Sequence, residues 1–359
     1  MVENMWYKGD LNMILDKVAN KMIGINNNFI KEECQISIID MNKWEWAQGV
    51  GLYGLYKYYK NCGNEAYFNF MIQWYENRVK EGLPEKNVNT CAPMLTLTYL
   101  YEDTKNKKYL QLIKQWANWV YNDMPRTEDG GLQHITTGIE NKGQLWADTL
   151  FMTNLFLSRA GAILNKEEYI EESKKQFLIH IKYLFDKSCG LWFHGWNFLS
   201  KNNFSAVHWA RGNCWYTAGV VDYLEMVEVE PFLKTYLIDT LKAQADALKK
   251  YQCDDGMWRT IIDDNTSYRE TSATAGFAYG ILKAVRKGYL DSEYKEMAKK
   301  ALNAVKQRID DEGVVHYVSY GTPVFDSAED YKRVEICPMT YGQALAILCL
   351  NEELNSEGC

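Results

Sequence analysis

Three of the five histidines in this chain stand at the same place in a repeated turn. The turns read Glu128-Asp129-Gly130-Gly131-Leu132-Gln133-His134 and Asp186-Lys187-Ser188-Cys189-Gly190-Leu191-Trp192-Phe193-His194. Two more are Asp254-Asp255-Gly256-Met257-Trp258-Arg259 and Asp310-Asp311-Glu312-Gly313-Val314-Val315-His316. Each has an acidic residue, a glycine, then an aromatic or histidine. They recur about every 60 residues, a period that signals a repeat architecture with insertions collected on one face. Gly, His, Trp and Arg in those insertions are binding chemistry, which predicts a shared functional face. Helix-ending turns alone would account for the glycines, since Gly favours the left-handed C′ position.

Other segments carry chemistry of their own. Asp148 is an isolated carboxylate in Gln144-Leu145-Trp146-Ala147-Asp148-Thr149-Leu150-Phe151-Met152. Apolar surroundings disfavour its charged form and raise its pKa, and an acid kept protonated near neutrality can donate a proton. Asp is also a favoured N-cap, so the bland reading stays open. Arg211, in His208-Trp209-Ala210-Arg211-Gly212-Asn213-Cys214-Trp215-Tyr216, is suited to bidentate carboxylate binding, with Trp209 and Trp215 framing a sugar ring. A structural partner among the carboxylates is the alternative. His194 stands in Trp192-Phe193-His194-Gly195-Trp196, beside a glycine that permits close backbone approach. In Lys43-Trp44-Glu45-Trp46 the two tryptophans cannot both face a core at a helix start, so one is expected at a cavity mouth unless the pair forms a hydrophobic staple.

The elements that must position these residues are helical. Three- and four-residue apolar spacing predicts helices over 10–24, 46–61, 64–81, 91–104, 107–122, 147–163, 166–185, 212–228, 231–251, 272–288, 291–309 and 339–353. Twelve helices in six hairpins point to an all-α (α/α)6 barrel, with short β-ribbons in the turns at 258–262 and 314–318. Gly51, Gly54, Gly276 and Gly280 fall inside helices, where Gly costs about 1 kcal/mol, so close helix packing is expected to compensate. No linker or low-complexity block divides the chain, and 1–359 reads as one domain.

Composition narrows the function classes. Aromatic residues make up 14%, with 12 Trp and 25 Tyr, many in turns or beside glycine, as in sugar-binding clefts. The net charge is −7 without a basic stripe, which argues against nucleic acid; an anionic ligand then needs a local positive clamp. Nine scattered cysteines without a CxxC pair argue against structural zinc and fit a reducing compartment. The start shows no leader pattern and no apolar run reaches membrane-spanning length, so a cytoplasmic location is expected.

Together the segments resemble the unsaturated rhamnogalacturonyl hydrolases, glycoside hydrolase family 105, whose relatives in family 88 act on unsaturated glucuronyl units. The resemblance spans about residues 40–350. It rests on Lys43–Val50, Gln144–Asp148, Gly190–Trp196, Trp209-Ala210-Arg211 with Trp215-Tyr216, and Glu270-Thr271-Ser272-Ala273. It implies the same barrel, Asp148 as catalytic residue, and Trp46, His134, His194, Arg211 and Trp215 around the unsaturated sugar. Some relatives carry a second Asp where this chain has Asn89, which can hydrogen-bond a sugar but cannot act as a base.

The implied reaction is hydration of a vinyl ether. Protonated Asp148 gives its proton to C4 of a Δ4,5-unsaturated galacturonyl unit at the non-reducing end of a pectin-derived rhamnogalacturonan oligosaccharide. The resulting carboxylate steers water to C5, and the hemiketal opens to release the aglycone. No metal or cofactor is called for. Three rivals stand beside this reading. One is glucuronyl preference on glycosaminoglycan-like substrates. Another is an inverting glycosidase with Asp148 as acid and Glu45, Asp255 or Asp264 as base. The last is a non-catalytic sugar-binding protein. A Glu45 variant is expected to single out the inverting glycosidase.

Overall fold

In the computed structural model, which describes residues 2–25 and 39–356, helices follow one another in pairs. They are α1 (Val2–Ile23), α2 (Trp46–Cys62), α3 (Glu65–Glu81), α4 (Val88–Thr104), α5 (Lys107–Asn122) and α6 (Leu155–Leu164). Then come α7 (Glu167–Leu184), α8 (Ala210–Met226), α9 (Pro231–Tyr251), α10 (Thr271–Arg286), α11 (Tyr294–Lys306), the short α12 (Ala328–Lys332) and α13 (Thr340–Ser356). Helices α2, α4, α6, α8, α10 and α13 pack side by side in a closed ring. Helices α1, α3, α5, α7, α9 and α11 lie outside, each against one or two members of that ring. This is the expected (α/α)6 barrel.

The two layers have different sequences for a physical reason. Inner helices have neighbours on every side, so α8, α10 and α13 are buried along nearly their whole length. Outer helices bury one stripe; α5 buries Tyr109, Ile113, Trp116, Ala117 and Val120, the three- and four-residue spacing of an amphipathic helix. Glycines bring the inner backbones close. A Cβ on Gly280 would lie 2.3 Å from the Thr217 carbonyl oxygen of α8, and one on Gly54 2.9 Å from the Ala344 carbonyl oxygen of α13. The short connections are set by caps. Asn87 and Thr90 form a reciprocal capping box on α4, and Gly63 ends α2 in the left-handed conformation.

The expected ribbons are partly in different places. Of the two anticipated, β5 (Trp258–Arg259) pairs with β6 (Arg269–Glu270). The 314–318 stretch holds only an isolated bridge, Ile309 to Val315, because its next carbonyls, of Tyr317 and Val318, accept from Thr271 and Cys337 of other segments instead of from a return strand. Two ribbons were not anticipated. One pairs β1 (Gln144–Trp146) with β4 (Gly195–Asn197), and the other pairs β2 (Phe185–Asp186) with β3 (Leu191–Trp192). No described helix is long and apolar enough to cross a membrane. Among the described cysteines, Cys62, Cys91, Cys189, Cys214, Cys253 and Cys349 carry free thiols.

Candidate active site

A cavity of about 250 Å³ opens where the inner helices begin. Trp46 is the first residue of α2, Asn89 the second of α4 and Arg211 the second of α8, and all three line it. So do Glu45, His134, Trp146, Asp148, Met152, Trp209, Thr322 and Asp326. Helix N-termini present unpaired N–H groups and the positive end of the helix dipole, which suits an anion.

Asp148 sits just before a π-helical turn, Leu150–Asn154, that precedes α6. Such turns are uncommon and often mark functional positions. It is not an N-cap: no side-chain cap bond is made at this helix start. Its Oδ1 accepts a hydrogen bond from Trp215 Nε1 at 3.0 Å. Its Oδ2 faces His194 Nε2 at 3.3 Å, off the line of a well-formed bond, so both polar atoms lack a hydrogen-bond partner. The side chain keeps 16% exposure, toward the cavity.

A relay fixes the imidazole. Phe325 N–H donates to the Tyr331 hydroxyl at 3.2 Å, and that hydroxyl lies 2.8 Å from His194 Nδ1. The network therefore assigns the His194 proton to Nε2, aimed at Asp148. His134 Nδ1 is 2.9 Å from Thr149 Oγ1, and its ring stacks on Trp146 at 4.1 Å and 10°. The β1–β4 ribbon makes this assembly possible, because pairing Trp146 with Gly195 carries His194 to the neighbourhood of Asp148.

The electrostatics correct one expectation. Burial does push the Asp148 carboxyl up, but the His194 contact, His134 and Arg211 together outweigh it and hold the carboxyl below its ordinary value. Asp148 is thus ionised at neutral pH, not protonated. The apolar neighbours read from sequence are present and buried, yet the nitrogen-bearing groups His194, His134 and Arg211 act on the same carboxyl and outweigh them. Burial keeps both histidines neutral: it lowers His194 and takes His134 down to about 3. The carboxyl that holds its proton is Glu45. Burial lifts it to about 7, against hydrogen bonds from the Trp46 backbone and the Asn89 side chain.

Arg211 also departs from its expected role. Its guanidinium is buried between the rings of Trp209 and Tyr341, at 4.6 and 4.7 Å. It donates to the Ser319 carbonyl at 3.1 Å, to the Ser319 hydroxyl, to the Tyr320 carbonyl at 2.9 Å and to Thr322 Oγ1 at 3.1 Å. Only Nε lacks a partner. Arg211 is therefore no free bidentate clamp: it pins the 319–322 segment and has a buried carboxylate partner, Glu270, at 3.8 Å, the alternative read from the sequence. Trp215 is also not a cavity wall. It is fully buried, packed on Phe151 at 5.0 Å, and holds Asp148; Trp209 and Trp46 are the tryptophans that reach the cavity with Trp146.

The remaining sequence expectations divide. Trp46 lines the cavity, stacked on Tyr341 at 4.5 Å, whereas Trp44 joins the core beside Trp74, as the geometry of the pair demanded. Asn89, His134 and His194 come together with Asp148 as expected. His316 does not. It pairs with Asp310 at 2.7 Å on an exposed face, and Trp258 of the third turn is buried. Asp255 is paired with Arg269 at 3.1 Å and Asp264 with Lys332 at 2.7 Å; neither lines the cavity, so Glu45 alone survives among the proposed bases. Sequence reasoning missed Thr136, Asn141 and Thr322, which sit in irregular segments without a periodic signal, and Tyr331, which sits in the five-residue α12, too short to show one.

The chain is similar to known proteins along nearly its whole length. The profile of Glycosyl Hydrolase Family 88 matches residues 14–356. The chain is 32% identical over 340 residues to the unsaturated rhamnogalacturonyl hydrolase YesR of Bacillus subtilis, covering 94% of this chain and 96% of the relative. A solved structure described as a possible member of the GH105 family, from Salmonella enterica, is 43% identical with a TM-score of 0.93, over 97% of this chain and 94% of the other. The unsaturated glucuronyl hydrolase of Bacillus sp. GL1 shares the fold at 18% identity and a TM-score of 0.71, over 95% of this chain and 94% of the other.

Proposed function

This chain belongs to glycosyl hydrolase family 88, and from that premise we propose that it releases a Δ4,5-unsaturated galacturonyl residue from the non-reducing end of rhamnogalacturonan oligosaccharides by hydrating the double bond. The observation that carries the proposal is the Asp148 carboxylate in a cavity edge, gripped by Trp215 and facing a neutral His194. Support for galacturonyl over glucuronyl comes from the similarity to the rhamnogalacturonyl hydrolase, which covers nearly the whole of both chains. The cavity of about 250 Å³ is smaller than the roughly 300–1,000 Å³ of drug-sized sites, which suits a terminal sugar ring. The uncapped N-terminus of α8, whose second residue Arg211 lines the cavity, is the anion-attracting feature within an acidic protein.

An ionised Asp148 must gain a proton before it can give one to C4. The uronate's negative charge arriving beside it raises its pKa, since like charges disfavour each other. Glu45, on the same cavity and protonated up to about 7, is the proton source. Once C4 is protonated, positive charge develops at C5 and the ring oxygen. The Asp148 carboxylate then accepts a proton from the water that adds at C5. The hemiketal opens and the bond to the aglycone is lost without attack at C1. Two carboxyls of one cavity with pKa values pushed apart are what acid–base chemistry needs.

A Glu45 variant therefore no longer separates this reading from an inverting glycosidase, because both use Glu45. The separating assay is loss of the conjugated double-bond absorbance on lyase-generated rhamnogalacturonan disaccharide beside its saturated counterpart. Turnover of the unsaturated substrate alone is expected; equal rates on both would overturn hydration. Turnover confined to glycosaminoglycan disaccharides would move the substrate class to glucuronyl units. Binding without turnover would leave a sugar-binding protein. The pectin-derived source and a cytoplasmic location belong to the same proposal, supported by the relative's activity and the free thiols.

A further inference from the structure

At the back of the His194 turn, Asp186, Cys189 and His208 converge, with one ligand-type atom from each lying within 4.8 Å of the others. Asp186 Oδ2 is 3.3 Å and Cys189 Sγ is 3.7 Å from His208 Nε2. The other ring nitrogen, Nδ1, is 2.8 Å from Asp263 Oδ2. Asp186 Oδ1 is already engaged, accepting from Ser188 N–H at 2.9 Å and Ser188 Oγ at 2.6 Å. The imidazole is held flat against Phe193 at 4.9 Å and 24°. None of these residues lines the active-site cavity.

We propose that Asp186, Cys189 and His208 form a three-ligand site for a divalent zinc-like cation, with Asp263 orienting the histidine and solvent completing the tetrahedron. The spacing carries it. Bonds of about 2.0–2.3 Å at tetrahedral angles separate a nitrogen and an oxygen ligand by roughly 3.3 Å and a nitrogen and a sulfur by roughly 3.6 Å. Those are the separations seen. A carboxylate accepting from the second ring nitrogen of a histidine is the usual orienting partner in metal sites. An imidazolium bridging two aspartates would explain the oxygens, but it leaves the sulfur only a long 4.0 Å contact to the Asp186 carbonyl and gives its approach to the same ring nitrogen no part. Oxygen, nitrogen and sulfur together select a borderline-soft ion such as zinc over magnesium or calcium. The site joins the turn that carries His194 to the irregular segment leading into Trp209 and Arg211, so an ion there staples two walls of the cavity from behind.

The test uses tag-free full-length protein stripped of metal by a chelator, titrated with zinc by calorimetry and with cobalt by absorption. One ion per chain is expected, with a thiolate-to-cobalt charge-transfer band. Cys189→Ser should abolish the band and weaken zinc by at least about tenfold, and Asp263→Asn should weaken it about 10–100-fold. His208→Gln serves as a second ligand variant, and each variant's helix content is checked by circular dichroism. Equal zinc affinity in wild type, Cys189→Ser and Asp263→Asn would overturn the site, as would no binding by wild type.

Discussion

The turns at Gly130 and Gly190 and those at Gly256 and Gly313 share one backbone but not one purpose. All four glycines take positive φ, at 80°, 84°, 88° and 84°. Three pack directly on a neighbouring helix: a Cβ on Gly190, Gly256 or Gly313 would meet the carbonyl oxygen of Ala243, Lys300 or Lys17 at 2.5 Å. The repeated acidic-glycine pattern thus encodes how a hairpin closes against the next helix. The path of the chain beyond each turn decides the chemistry. After the first two turns the chain pairs across, β1 with β4, and brings His134, Trp146, His194 and Asp148 into one wall. After the third it pairs with its own return strand, β5 with β6, and Trp258 is buried. After the fourth, His316 stays outside with Asp310.

The largest expected effect is at the residue the first two turns surround. Asp148→Asn keeps the acceptor for Trp215 Nε1 but cannot carry a proton, so kcat should fall about 10²–10⁴-fold with the fold unchanged. Activity within threefold of wild type would remove Asp148 from the mechanism. Next, His194→Ala should lower kcat/KM about 10–150-fold, the worth of one hydrogen bond to a charged group, which the 3.3 Å contact with Asp148 becomes when catalytic geometry tightens around bound substrate, whereas His316→Ala should leave it within twofold. Comparable losses in both would restore the shared functional face that the sequence suggests.

The turn glycines carry the shared backbone role. Gly190→Ala and Gly256→Ala should destabilise by similar amounts, about 1–3 kcal/mol in urea denaturation, since both meet a backbone carbonyl at 2.5 Å. A large difference between them would mean the turns are not equivalent in closing the barrel. The subtlest effect belongs to Glu45. Its folded pKa of about 7 lies above the unfolded value of 4.5, so the native state binds the extra proton between those limits. Its contribution to stability is full below about 4.5 and is lost as pH rises toward about 7, by at most about 3 kcal/mol. Glu45→Gln should flatten that slope and remove the limb near pH 7 from the pH–rate profile; an unchanged profile would release Glu45 from proton supply.

The barrel was legible because helical period and burial follow from local spacing, and twelve spans read from the sequence are helices of the ring or its outer layer. The residues of the site were legible where they stand in distinctive segments: Trp46, Asn89, His134 and Asp148 line the cavity, and His194 stands against Asp148. What failed was long-range. No local pattern shows that Ser319, Tyr320 and Thr322 occupy the Arg211 guanidinium, or that Tyr331 sets the His194 tautomer. The sign of the Asp148 shift failed for the same reason: flanking residues reported its apolar backing, and the histidines that reverse it come from other turns.

One measurement bears most directly on hydration by Asp148: turnover of the unsaturated disaccharide in heavy-oxygen water, with the label located in the released uronate. Hydration of the double bond places the label at C5 and none at the anomeric carbon. Label at C1 would contradict it and establish direct hydrolysis of the glycosidic bond, with Glu45 and Asp148 as an ordinary acid–base pair.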